Sequence, residues 1–182
     1  MIPVAGLLGG CGFQLRQPPE LQLKRVQLTG FERHSAQAAA LQRALRASPG
    51  VEVVDSAPQA DLVLQSLRDV EERVASSTTA AGQVRELMLK VRLRFRVLSP
   101  TGRELIAPTE LNLQRDMTYN ETSALAKEHE ATTLLRAMHD DIAQQVLRRL
   151  ATLGPVPIAA ALPASDSASA PVPAPAGAAA SR

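Results

Sequence analysis

Four cations recur at every second position in one run of the chain: Lys90, Arg92, Arg94 and Arg96 alternate with Leu89, Val91, Leu93, Phe95 and Val97. Side chains of an extended chain point alternately to opposite faces, so this spacing makes a linear basic ridge on one face and an apolar strip on the other. Guanidinium groups match phosphate oxygens two at a time, so such a ridge could meet phosphate groups. The plainer reading is a solvated sheet face whose cations pair with Glu110, Asp116 or the wall of a partner. The other reactive side chains offer less. His129-Glu130 begins like a zinc-protease helix, but Thr133 stands where the second histidine is required. His34, His129 and His139 have no ligand spacing, and His139-Asp140-Asp141 reads as a polar helix face. No nucleophile elbow or kinase-like set is present, so a non-catalytic protein is expected.

The single cysteine rules out an intramolecular disulfide and calls for another explanation. Leu8-Gly9-Gly10-Cys11 resembles a lipobox, in which the sulfur receives a diacylglyceryl group, cleavage occurs before Cys11 and the new amino terminus is acylated. Each buried methylene contributes about 0.8 kcal/mol and one chain alone binds reversibly, so several chains on one residue make a stable anchor. This covalent lipid is the only added group expected; no cofactor or metal is implied. The apolar stretch before Cys11 is short and lacks the Lys or Arg of a leading region, which points to a true start upstream of Met1. Gly12 follows the cysteine where an inner-membrane protein of enterobacterial type carries Asp, so the resemblance implies the outer membrane. The alternative is a frayed apolar terminus with an incidental thiol.

The elements that must position the cations follow from periodicity and breakers. Residues 21–28 suggest a first strand ending at Thr29-Gly30. Ser35 is a good N-cap for a helix over Ala36 to Ala47, with Ala38, Leu41 and Leu45 on one face, stopped by Ser48-Pro49-Gly50. Val51, Val53 and Val54 form a short strand, with a turn near Ala57-Pro58. A longer strand starts at Leu62-Val63-Leu64 and turns polar through Asp69, Glu71, Glu72 and Arg73, as a strand leaving the core would. Residues 87–97 are the half-buried strand already described. Ser99-Pro100-Thr101-Gly102 reverses the chain into a strand ending near Tyr119, in which Pro108 marks a bulge or an edge. Asn120 caps a helix of about thirty residues whose core face is Ala131, Leu135, Met138, Ile142, Val146 and Leu150; Arg148 and Arg149 suit its carboxyl end.

Each helix has one apolar stripe and each strand one apolar face. The economical solution is α+β: a two-layer sandwich with two helices packed on one face of a mostly antiparallel sheet of four to five strands. Aromatic content of 2% leaves the core to Leu, Val, Ile, Met and Ala. The domain expectations are a signal over 1–10, a tether over 11–20 with Pro18-Pro19, one folded domain over 21–153, and a disordered Ala/Pro-rich tail over 154–182. Cations number 20 against 18 carboxylates, which is too balanced for a general nucleic-acid binder, and the stacking aromatics such a binder uses are scarce. No apolar run reaches the roughly eighteen residues that cross a bilayer as a helix.

Four segments together resemble the LPS-assembly lipoprotein LptE family: Cys11-Gly12-Phe13-Gln14-Leu15-Arg16, Ala60-Asp61-Leu62-Val63-Leu64, the Gly82-to-Val97 strand, and Ala124-Leu125-Ala126-Lys127-Glu128. The resemblance covers Cys11 to about Leu153. It implies a two-layer fold, docking as a plug inside the outer-membrane LPS-assembly β-barrel of LptD type, help in folding that barrel, and contact with lipopolysaccharide. It also implies a lipopolysaccharide role for Lys127, beside the row Lys90, Arg92, Arg94 and Arg96. Two departures stand out: Leu87 follows Glu86 where members often have tyrosine, and the loop before Gly82, often basic in members, is Thr78-Thr79-Ala80-Ala81. Arg85 lies near enough to take over that loop's cation. The competing class is a periplasmic lipoprotein that binds a ligand or activates a cell-wall enzyme with no barrel partner.

Overall fold

The computed structural model describes Leu21 and residues 23–153. The anchor, most of the tether and the tail, and with them Cys11 and Gly154-Pro155, lie outside the described residues. Five strands and two helices follow in the order β1 (Arg25–Thr29), α1 (Ala36–Arg46), β2 (Glu52–Val54), β3 (Leu62–Thr78), β4 (Val84–Leu98), β5 (Glu104–Thr118) and α2 (Ala124–Ala151), with single 3₁₀ turns at Ala57–Gln59 and Glu121–Ser123. They form one five-stranded sheet ordered β2-β1-β3-β4-β5 with the helices as a second layer, an α+β sandwich.

The sheet is mixed. β3, β4 and β5 are a long antiparallel meander, whereas β1 pairs in parallel with both β2 and β3. β1, α1 and β2 therefore form a β–α–β crossover, because strands in the same direction need a connection long enough to return over the sheet. The parallel half is not visible in the sequence, where these strands read only as short apolar runs.

Alternation in β4 builds the core. Leu89, Val91, Leu93, Phe95 and Val97 are each 0% exposed and face the helices. Ala131, Leu135, Met138, Ile142, Val146 and Leu150 of α2 meet them from above, as the 3.6-residue period requires. α1 is capped as expected, with Ser35 Oγ accepting from the Ala38 N–H at 2.9 Å, but Gln37 and Ala40 turn inward with Leu41 and Leu45 in place of Ala38. Asn120 Oδ1 accepts from the Thr122 N–H at 2.9 Å and caps the 3₁₀ turn that runs into α2.

Gln37 is buried because it is satisfied. Its amide nitrogen donates to the His139 carbonyl at 3.2 Å, and its amide oxygen lies 2.9 Å from His139 Nδ1. His139 Nε2 in turn lies 3.0 Å from Glu71 Oε2 on β3, so one imidazole joins both helices to the sheet. His139 is thus a buried interlayer contact and not part of a polar helix face. Asp140 and Asp141, beside it, are exposed and pair with Arg43 and Arg115. β3 leaves the core beyond Ser66 as expected, yet Asp69, Glu71 and Arg73 on its exposed stretch still reach Ser35, His139 and Glu128 in the helical layer.

Pro108 lies in an edge strand and at an irregularity at once. The partner of Phe95 is Thr109 and that of Val97 is Ile106, so β5 carries an extra residue there, where a missing N–H costs no ladder bond.

Candidate functional site

β4 alternates without a break from Met88 to Arg96, which puts Lys90, Arg92, Arg94 and Arg96 together on the sheet face turned away from the helices. They are not equivalent. Arg92 donates through Nη2 to Glu72 Oε1 at 2.6 Å, and its buried Nε has no partner among the described residues. Arg96 donates through Nε to Gln65 Oε1 at 2.7 Å. Lys90 stands in register between Glu72 and Gln114, and exposed Arg94 between Arg68 and Glu110. Among the described residues, neither Lys90 nor Arg94 takes part in an ion pair. The expected pairing of the row with Glu110 or Asp116 is absent there: Asp116 stands opposite Met88, and the pair that forms runs from Arg92 to β3.

Lys127 does not join this row. It projects from the first turn of α2, where Nζ donates to Thr118 Oγ1 at 3.0 Å and to Glu130 Oε2 at 2.8 Å. Arg85 is exposed at the start of β4, and its carbonyl accepts from the Tyr119 N–H at 2.7 Å. It lines an open cavity of about 290 Å³ with Gln83, Tyr119, Asn120 and Glu121. Arg85 and Lys127 therefore mark one end of the meander and Arg94 and Arg96 the other, about 30 Å apart at the rise of an extended strand. A second cavity of about 350 Å³ lies between α1, α2 and β3, with Arg43, Arg73 and Arg136 at its rim. Arg43 and Arg73 are neutralised there by Asp140 and Glu128.

Arg68 is a residue the sequence reading missed. Counting by twos from Leu62 and Leu64 puts it on the core face. A register shift between Ser66 and Arg68 turns it to the outer face, directly opposite Arg94. Among the described residues no group of His, Cys, Asp and Glu is arranged to hold a metal. No helix among them is long and apolar enough to cross a membrane.

Residues 23–150 match the family model LptE, described as lipopolysaccharide-assembly. The chain belongs to the LptE family. An LPS-assembly lipoprotein LptE from Yersinia enterocolitica serotype O:8 is 35% identical over 146 residues, 78% of this chain and 68% of that one. Its counterpart from Yersinia pestis strain Pestoides F is 31% identical over 147 residues, 79% and 70% of the two chains. The solution structure of an uncharacterized lipoprotein B from Nitrosomonas europaea superposes with a TM-score of 0.65 at 29% identity, covering 78% of this chain and 91% of that chain. The rare lipoprotein B from Shewanella oneidensis gives 0.58 at 26% identity, over 70% and 94%. As an LptE-family protein the chain is a lipopolysaccharide-assembly lipoprotein.

Two of the segments that carry the LptE likeness now have physical roles. Asp61, in the segment before β3, ties that strand to β1. Its Oδ2 accepts from the backbone N–H groups of Lys24 at 3.1 Å and Arg25 at 2.9 Å, and its Oδ1 from the Arg25 guanidinium at 2.9 Å. Burial pushes this carboxyl up, but the hydrogen bonds from the Arg25 side chain and the two backbone groups, with the Arg25 charge, outweigh it and hold the carboxyl below its ordinary 3.8. In the segment opening α2, Lys127 locks the first turn of the helix to the end of β5.

Proposed function

We propose that this LptE-family protein is held on the periplasmic side of the outer membrane by diacylglyceryl and N-acyl chains on Cys11. There it docks in the lumen of the LPS-assembly β-barrel, helps that barrel assemble, and assists delivery of lipopolysaccharide. It does so without catalysis. The folded domain of residues 21–153 is the plug, residues 11–20 the tether and residues 154–182 a tail outside it. The observation that carries the reading is one-sidedness: both helices cover one sheet face, while the other, bearing Lys90, Arg92, Arg94 and Arg96, has no covering layer among the described residues. Barrel lumens are polar, which suits a plug whose open face is charged.

Detergent extraction of the lipidated protein tests this. Stable co-purification with a large outer-membrane barrel is expected; recovery as a free lipoprotein would instead favour a periplasmic ligand-binding or enzyme-activating role. For lipopolysaccharide contact, Lys90 and Arg94 are the informative positions, because changing them breaks no ion pair seen within the domain. Lys90→Glu with Arg94→Glu is expected to weaken lipopolysaccharide binding in vitro, and unchanged binding would remove the row from that role. Arg92 and Lys127 are less clean, since changing them also breaks their ion pairs with Glu72 and Glu130.

A further inference from the structure

On the open face of the sheet one rung departs from the rule that neighbouring strands set opposite charges across from each other. Arg68 of β3 and Arg94 of β4 are directly opposite in register, both exposed, and no carboxylate forms an ion pair with either among the described residues. Side chains so placed start about 5 Å apart at Cβ, and like charges there destabilise the sheet. The arrangement is built and not incidental, because the register shift at Leu67 is what brings Arg68 to this face. The neighbouring cations differ: Arg92 is held by Glu72 and Arg96 by Gln65, which leaves the Arg68–Arg94 rung as the place where two guanidinium forks stand unengaged. Glu110 is across from Arg94 on β5 yet makes no ion pair with it among the described residues.

Apolar side chains stand beside this rung on the same strand. Leu67 beside it is 42% exposed, and half-buried Val70 is the next residue of β3 on this face; exposed Val74 lies about 20 Å along the strand, beyond Glu72. Two forks with apolar ground alongside match an anion carried on an amphiphile better than a freely soluble one.

We propose that Arg68 and Arg94 form a clamp for the phosphate of an acylated, phosphorylated amphiphile of lipid A type. The inference rests on the reading above that the open face meets lipopolysaccharide, and it adds to the basic row a residue, Arg68, and a specific chemical group. Guanidinium pairs grip a phosphate through parallel N–H···O bonds, which lysine cannot reproduce. A bound dianion would also cancel the repulsion that the rung otherwise carries.

The test uses the full lipidated chain in detergent micelles. Its probes are phosphorylated lipid A, the same lipid with its phosphates removed, and inorganic phosphate. Arg68→Gln with Arg94→Gln is expected to weaken binding of the phosphorylated lipid by about tenfold or more, the loss of a charged, paired contact, and to leave the dephosphorylated lipid unchanged. Arg68→Lys with Arg94→Lys keeps the charge and is expected to recover only part of the affinity. Relief of the like-charge rung should raise the thermal midpoint of the glutamine variant, which separates loss of binding from loss of folding. Equal affinity for the phosphorylated lipid in wild type and glutamine variant would overturn the clamp. So would an equal loss for both lipids, or saturation by inorganic phosphate with none by lipid A. If the variant keeps its lipid affinity but no longer co-purifies with the barrel, the cations face acidic groups of the barrel wall; the clamp is then wrong and the plug stands. If wild type co-purifies with the barrel but binds neither lipid, the lipopolysaccharide-contact reading has failed, and the clamp with it.

Discussion

At the scale of single residues, polar groups in the interior and at the strand ends decide stability. Gln37, 0% exposed, and His139, 4% exposed, satisfy one another between the helices, so removing one strands the other in an apolar setting. His139→Ala is expected to cost about 2–4 kcal/mol, from the lost bonds and the space left behind. Gln37→Leu combined with His139→Leu should cost less than the two single changes added, since replacing both partners leaves no orphan; urea midpoints of the three variants check this. Asp61 gives a pH signature. A carboxyl held below 3.8 in the fold contributes stability above that value and loses it as pH falls through the lower folded value. The stability difference between wild type and Asp61→Asn should therefore be largest near neutral pH and shrink below about pH 4; a difference constant across that range would contradict the assignment. Gly30 is the third case. A Cβ there would lie 2.3 Å from the Ser66 carbonyl oxygen and the backbone has φ +77°, whereas Gly50 has φ +73° with open space around it. Gly50→Ala should cost about 1 kcal/mol from the backbone alone, and Gly30→Ala clearly more, because backbone must move as well.

At the scale of elements, β4 carries the fold and is also the part most legible in the sequence. Its alternation is strict because one side meets the helices and the other does not, so period and burial coincide. Phe95→Ala on the buried side is expected to cost about 3–5 kcal/mol, measured by denaturant unfolding, while Lys90→Ala on the open side should stay within about 0.5 kcal/mol. The caps at Ser35 and Asn120 and the α2 stripe from Ala131 to Leu150 were legible for the same reason: each is a local rule acting on neighbouring residues. What was not legible is non-local. Parallel pairing of β1 with β2 and β3 depends on where α1 returns the chain, and nothing within Val51 to Val54 encodes it. Arg68 was hidden because a bulge changes the parity on which the sequence argument counts. The inward turn of Gln37 and His139 did leave a signal, since Gln37 is four residues before Leu41, and His139 four after Leu135 and four before Ala143, all on buried faces. A polar residue on such a stripe reads equally as an edge position until its partner is seen.

At the scale of the whole molecule, the LptE-family domain is a sandwich in which, among the described residues, helices fill one side of the sheet and no layer covers the other. On the proposed reading, an anchor of several acyl chains would keep the domain at the membrane, and the charged open face would meet a polar lumen. Cys11→Ala is expected to release the protein from the membrane fraction, because it removes the sulfur that would carry the diacylglyceryl group. The most direct measurement is native mass spectrometry of the protein extracted from membranes in detergent, which weighs the chain and its partner together. The expected species begins at Cys11, carries diacylglyceryl and N-acyl groups, and is bound to one outer-membrane barrel. A free chain that retains residues 1–10 with an unmodified thiol would contradict both the anchor and the docking.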